Sequence, residues 1–149
     1  MKRSGLIAGL AIIAITAGSV FIFGKSYARD IYTYDCETVE QRPEQLTKYC
    51  ADAGVVIYDI TWERWGYNGA EGKGTYSENL CEPNCAEGKF ETAPVDIYLS
   101  GIEVIEGKRI LRYLSANTRN GELLPNGDTY VNWDTAEFAI SMKEFESNG

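Results

Sequence analysis

The chain has 149 residues, of which 14 are basic and 22 are acidic, and it contains no histidine. The missing histidine excludes Ser-His-Asp and Cys-His catalytic sites, as well as histidine-ligated metal sites. The acidic balance disfavours binding to nucleic acid and to anionic lipid head groups, because both ligands are negatively charged and favour a basic surface.

The first 28 residues contain an apolar run, residues 5–23, without a charged side chain. A helix over this run and its flanking residues would be roughly 30 Å long, which matches the hydrocarbon core of a bilayer. We predict either a signal peptide cleaved after Ala28 or a single N-terminal transmembrane anchor, and both alternatives stay open. In either case Lys2 and Arg3 remain in the cytoplasm and the rest of the chain is exported.

The body beyond residue 28 contains all four cysteines. Three of the basic residues precede it, so it carries 11 basic and 22 acidic residues and a net charge of −11. An even number of cysteines in an oxidising compartment predicts two disulfides, with three possible connectivities. We favour Cys36–Cys50 and Cys81–Cys85, the second because a Pro-Asn turn can bring its two sulfurs together. A zinc site would need four thiolates in a reducing compartment, so we predict no metal.

The strand signal in the body begins at residue 55. Val56, Tyr58, Ile60 and Trp62 alternate onto one predicted core face, because the opposite face carries Asp59. Further short strands are predicted at 74–79, 88–92, 94–99, 102–105, 109–114, 129–133 and 137–142.

These strands predict an all-β fold: a small β-sandwich or barrel of about seven or eight short strands, stapled by disulfides and preceded by the N-terminal hydrophobic helix. The predicted organisation is a signal peptide or anchor (1–28), a polar segment (29–49), the exported β-domain (50–143) and a polar tail (144–149). No helix is predicted in the body.

Three aromatic residues are the tentative binding residues: Trp65, Tyr67 and Trp133. Exposed rings of this kind can form a platform for a sugar or a peptide. Trp62 lies on the predicted core face, and Trp65 begins a glycine-rich loop. The alternative is that the tryptophans fill the core, as is common in exported β-domains of this size.

Two polar clusters are candidates for other chemistry, and in both the plainer interpretation is favoured. A pair of carboxylates could hydrolyse a glycoside, but nothing in the sequence fixes such a pair, and a solvated acidic face is favoured. Oxygen ligands near a turn suit calcium, but their spacing does not follow the EF-hand loop, and a plain turn is favoured. The acidic cluster is Glu82, Glu87, Glu91 and Asp96, and the oxygen-ligand cluster is Asn126, Asp128, Asn132 and Asp134.

A longer series of motifs resembles a family of small exported actinobacterial proteins. The series reads CADAG (50–54), ITWERWG (60–66), AEGKGTY (70–76) and NLCEPNCAEG (79–88), followed by a Pro-Val strand. The family is uncharacterised, so the resemblance implies an exported domain and no activity, and it transfers no catalytic residue. The chain departs from the family in the turn after Cys50 and in lacking the lipobox of some members.

The sequence therefore predicts an extracytoplasmic, non-catalytic β-domain, secreted or membrane-tethered, that binds an envelope component or a protein partner. It predicts no cofactor, no nucleic acid, and membrane contact only through the N-terminal segment. The alternative is a carboxylate-dependent hydrolase of envelope polysaccharide, which rests only on the abundance of acidic residues and tryptophans.

Overall fold

The structure is a computed structural model that describes residues 30–149. The predicted signal peptide or anchor at residues 1–28, with its cleavage candidate Ala28, lies outside the described residues. Within residues 30–149 there is no helix with the length and hydropathy needed to cross a membrane.

The described chain forms one curled, eight-stranded sheet and one helix. The strand order is β2-β1-β7-β6-β5-β4-β3, with β8 pairing β7 beside this path, and the sheet curls into a half-barrel. All pairs are antiparallel except β1 with β7. The elements are β1 (Ile31–Asp35), β2 (Thr38–Glu40), β3 (Leu46–Thr47), β4 (Val55–Gly66), β5 (Gly69–Asn79), β6 (Phe90–Ile105), β7 (Lys108–Thr118), β8 (Tyr130–Asp134) and α1 (Glu137–Asn148).

The prediction of a mostly β, disulfide-stapled domain is confirmed, and so is the favoured pairing of cysteines. Cys36 is bonded to Cys50 and Cys81 to Cys85. The architecture differs from a sandwich, because one sheet encloses the main core on its concave face. The strands that form this face, β4 to β7, have 11 to 16 residues each and are longer than predicted.

The strand predicted at 137–142 is wrong, because this segment forms the first half of α1, which also includes most of the predicted polar tail. The alternation of Phe138, Ile140 and Met142 imitates a strand. The residues that pack on the outer face of the sheet are instead Ala136, Ala139 and Ile140, which have the spacing of one helical face.

The predicted core face of β4 is wrong in its first half. Val55 and Ile57 are buried there, whereas within the predicted set Ile60 is buried and Trp62 is half-buried against the core. Asp59 has a φ of 53°, and the pairing with β5 shifts by one residue between Tyr58 and Thr61. This bulge exchanges the two faces of the strand, since one extra residue moves the following side chains to the other face. A second shift between Trp62 and Arg64 exchanges the faces again, and Trp65 is buried.

The polar segment at residues 29–49 contributes three strands to the sheet. Ile31 and Thr33 of β1 are fully buried, and β1 lies between β2 and β7. The same edge of β7 is shared, with β1 on Arg109 and Ile110 and β8 on residues 113–117. The predicted polar segment is therefore an integral part of the sheet.

Two buried threonines fill the junction where β7 passes from one partner to the other. The Thr33 hydroxyl donates to the Leu111 carbonyl at 2.9 Å. The Thr135 hydroxyl and backbone N–H both donate to the Arg112 carbonyl, at 3.0 Å and 2.7 Å. These side chains bond the carbonyl oxygens of Leu111 and Arg112, which lie between the residues that pair with β1 and those that pair with β8. Buried backbone oxygens need such partners.

The two ends of the sheet order approach each other and are joined by bonds other than strand pairing. The Trp65 indole N–H donates to the Ile31 carbonyl at 2.9 Å. The Thr47 backbone N–H donates to Asp35 Oδ1 at 2.7 Å, next to the Cys36–Cys50 disulfide. Below these bonds β8 lines the edge instead of β1, and an opening remains between β8 and the loop after β3.

Candidate functional site

The opening in the half-barrel forms a cleft of about 500 Å³, which we call the seam cleft. One wall is the end of β3 with the loop after it, residues 47–52, which include Cys50. The other wall is the end of β8 with the start of α1. The volume is within the range of small-molecule sites. The second wall consists of Trp133, Asp134, Thr135, Glu137, Phe138 and Ser141.

Aromatic side chains contribute to both walls of the seam cleft. Tyr49 is 52% exposed on the loop, and the Lys48 ammonium lies 5.1 Å from the centre of its ring. Trp133 is half-buried and packs against the concave core, and Phe138 is half-buried on α1. Such a lining suits a ligand with an apolar, flat body.

The indole N–H of Trp133 is buried without a hydrogen-bond partner, and no other buried side-chain polar atom in residues 30–149 lacks one. An indole nitrogen is a donor only, so an acceptor must be supplied to satisfy it. The other two tryptophans show the usual pattern. The Trp62 N–H donates to the Pro43 carbonyl at 2.8 Å, and the Trp65 N–H donates to Ile31. Trp133 is thus the one tryptophan of residues 30–149 whose buried N–H lacks an acceptor, and it lines the seam cleft.

The carboxylate of Asp134 at the edge of the cleft is already occupied. Arg112 Nε lies 3.1 Å from both of its oxygens, and the Ala136 N–H donates to Oδ1 at 3.0 Å. Arg112 also binds Glu103 at 2.6 Å. The hydrogen bonds that Arg112 donates to Asp134 first, and then to Glu103, raise the pKa of Arg112 above its ordinary value. Asp134 therefore fixes the turn from β8 into α1.

Asp52, a second carboxylate of the seam cleft, accepts the Gly54 backbone N–H at 2.9 Å. It shapes the loop after the disulfide in the manner of an Asx turn. Two hydroxyls of the cleft, those of Ser141 and Thr135, donate to backbone carbonyls. The carboxylates of Asp52 and Asp134 thus both accept a backbone N–H.

The three tentative binding residues do not come together. Trp65 is only 7% exposed and meets Trp62 edge to face, with ring centroids 4.9 Å apart. Tyr67 is 63% exposed in the turn between β4 and β5. Trp133 lines the seam cleft. The structure places Trp65 in the core and Trp62 against it, in agreement with the core-filling alternative.

The sequence did not indicate Tyr49 and Phe138 as partners of Trp133. Tyr49 precedes Cys50, and its position beside the favoured disulfide was the available signal. Phe138 lies in the segment predicted as a strand, so its position on a helix that faces the cleft was not predicted.

The two polar clusters form ordinary surface interactions. Asp96 pairs with Arg119 at 2.8 Å. Asn126 accepts the Asp128 backbone N–H at 3.0 Å, as in a turn. No group of three or more Cys, Asp or Glu side chains able to hold a metal ion occurs in the part of the chain that the structure describes.

Comparison with protein-family models, with curated proteins and with solved structures found no match to this chain.

Proposed function

We propose that the protein is an extracytoplasmic, non-catalytic binding domain whose seam cleft holds a small uncharged molecule. The chain would be released by cleavage near Ala28 or tethered by residues 1–28. The two disulfides support export, because such bonds form and persist in oxidising compartments.

The observation that carries the proposal is the unpaired indole N–H of Trp133. A ligand that presents a carbonyl, ether or hydroxyl oxygen at the base of the cleft satisfies this donor. Leaving a buried donor unmade costs about 1–3 kcal/mol, and that amount is recovered when the ligand binds. Because the N–H has almost no contact with solvent, side chains that line the seam cleft must rearrange for the ligand to reach it.

The chemistry of the walls defines the ligand further. Tyr49 and Phe138 provide flat apolar surface, which favours a ring or another planar body. Asp52 and Glu137 outnumber Lys48 at the rim, and this negative balance disfavours anionic ligands. We therefore expect a neutral molecule with a planar apolar part and one hydrogen-bond acceptor.

The test is an indole ¹⁵N–¹H NMR titration of the body with a panel of neutral aromatic amides and ketones. The three indoles serve as their own controls, since those of Trp62 and Trp65 already donate to carbonyls. We expect a binding probe to move the Trp133 resonance downfield and to leave the other two in place. Trp133→Phe should abolish binding, and Trp62→Phe should retain it. Probes that bind equally to the Trp133→Phe variant, or a panel in which nothing moves the Trp133 signal, would refute the proposal.

A further inference from the structure

A second cleft lies at the turn between β4 and β5 and shares no lining residue with the seam cleft. We call it the hairpin cleft. It has a volume of about 570 Å³ and is formed by residues 64–71 of the hairpin with Tyr98, Leu99 and Ser100 of β6. Nothing in the proposed function uses it.

Exposed tyrosines border the hairpin cleft and extend beyond it. Tyr67 is 63% exposed and Tyr98 is 42% exposed. Tyr113 of β7, which is 50% exposed, pairs with Ser100 and is therefore the diagonal neighbour of Tyr98. Tyrosine rings present a flat apolar face together with a hydroxyl, a combination common at recognition surfaces.

The only charged groups that line the hairpin cleft form one planar pair. Arg64 binds both carboxylate oxygens of Glu71, with Nε 2.9 Å from Oε2. The Arg64 side chain is 72% exposed, and a pair this exposed contributes little to stability. Its guanidinium has five N–H donors in one plane, of which the bidentate contact uses two, and the carboxylate keeps further acceptor sites. Donors and acceptors side by side match the two hydroxyls of a vicinal diol.

The charges of Arg64 and Glu71 cancel, so the cleft is neutral on a body whose net charge is −11. The surrounding acidic surface disfavours anionic chains, and the neutral lining offers no unpaired charge to attract a cationic one. The surface complements an uncharged, polyhydroxylated ligand.

The cleft is preformed by the backbone around it. Gly69 has a φ of 118°, and a Cβ there would lie 2.6 Å from the Leu99 carbonyl oxygen. Only glycine permits this close approach of the hairpin to β6. Trp65, which lines the cleft, is buried in the core and is held by its bond to the Ile31 carbonyl. Since little ordering is needed on binding, weak contacts suffice for measurable affinity.

We infer that the hairpin cleft binds a neutral oligosaccharide chain. The apolar face of one sugar ring lies on Tyr98, a neighbouring ring lies on Tyr67, and vicinal hydroxyls bond the Arg64–Glu71 pair. This site goes beyond the small-molecule site at the seam, and it would attach the domain to uncharged polysaccharide.

The experiment is affinity electrophoresis of the body through native gels that contain dextran, mannan or arabinogalactan, with polygalacturonate as the acidic comparison. We expect retardation by at least one neutral polymer and none by polygalacturonate. Tyr98→Ala should weaken that binding about tenfold through loss of stacking area, whereas Tyr98→Phe, which keeps the ring, should retain most of it. Tyr130→Ala, a tyrosine 56% exposed on β8, is the matched control and should bind as the wild type does.

Thermal unfolding of each variant shows whether it is folded, and Arg64→Met provides a second, surface-only test. Absence of retardation by every neutral polymer would overturn the inference. So would equal retardation of the wild type, Tyr98→Ala and Arg64→Met, or binding to polygalacturonate alone.

Discussion

The Cys36–Cys50 disulfide should stabilise the domain more than the Cys81–Cys85 disulfide, because only the first joins the two ends of the curled sheet. It links the turn after β1 to the loop after β3, next to the bond from Thr47 to Asp35. The second closes an exposed loop between β5 and β6, which already pair along their length. Each bond is removed by a double Cys→Ser substitution.

The chain-entropy relation sets the expected magnitudes. The first bond joins residues 14 apart, and a closed loop of about 15 residues corresponds to about 3 kcal/mol. The second joins residues 4 apart, for which the same relation gives about 2 kcal/mol. Removing the first bond also frees one wall of the seam cleft, since residues 47–52 lose their covalent link to the turn after β1. We therefore expect a gap of at least about 1 kcal/mol between the two double variants.

The assay is urea unfolding followed by tryptophan fluorescence, with hydrogen exchange on the same samples. The Cys36→Ser/Cys50→Ser variant should lose about 3 kcal/mol and lose amide protection in residues 47–52. The Cys81→Ser/Cys85→Ser variant should lose about 2 kcal/mol at most and keep that protection. Equal losses, or a larger loss from the second pair, would show that the sheet ends are held together without the first disulfide.

Three further substitutions test the packing, the charges and the titration of the core by the same urea assay. Gly72→Ala should cost about 1–3 kcal/mol of stability, because its Cβ would lie 2.8 Å from the Thr61 carbonyl oxygen of β4. Gly66→Ala, whose Cβ would have nothing within 4 Å, should change stability by no more than about 0.5 kcal/mol. Similar losses from the two variants would contradict the packing. Arg112→Met should cost about 1–3 kcal/mol of stability, because it leaves the Asp134 carboxylate, which is only 19% exposed, without its partner. Arg64→Met on the open surface should cost less than about 1 kcal/mol. The reverse order of the two losses would refute this. Burial first, and then a hydrogen bond to the Glu78 carboxylate, raise the pKa of Tyr76 above its ordinary value of 10.0. Its contribution to the free energy of unfolding is therefore intact below pH 10 and decreases above it by up to about 1.4 kcal/mol per pH unit. Tyr76→Phe should remove this part of the pH dependence of stability between about pH 9 and 11.5, and an unchanged pH dependence would contradict it.

The sequence predicted the β-rich composition and the disulfides well, because alternation and cysteine spacing are local signals. It divided β6 into three strands, since Pro94 and Gly101 ordinarily interrupt a strand. The structure retains both within β6. Pro94 is exposed, and Gly101, at a φ of 69°, marks a gap in the pairing with β7. The bulge at Asp59 was equally hidden, because an inserted residue leaves no mark on apolar alternation.

The seam cleft was beyond reach of the sequence for a different reason. Its walls join Tyr49 to Trp133 and Phe138, which are far apart in the chain. Their proximity depends on the curl of the sheet and on a helix that the alternation of Phe138 and Ile140 had disguised. The N-cap residue of α1 is Ala136, which has no side chain able to cap the helix, so the usual start signal was also missing. The sequence therefore indicated Trp133 only because it is an aromatic residue, and it did not indicate which residues would lie beside it.

The parallel pairing of β1 with β7 has a consequence for the order in which the chain acquires structure. The contact between Thr33 and Leu111 spans 78 residues, whereas β4 to β7 form successive antiparallel neighbours. Closing so long a loop early is entropically costly, so we expect the meander to form first and β1 to dock last. In a chain delivered across a membrane from its N-terminus, β1 could pair with β2 at once, but its other edge would stay unpaired until β7 has emerged. Folding kinetics of Thr33→Ser would reveal this as faster unfolding at an unchanged folding rate, and a slower folding rate would place β1 in the nucleus instead.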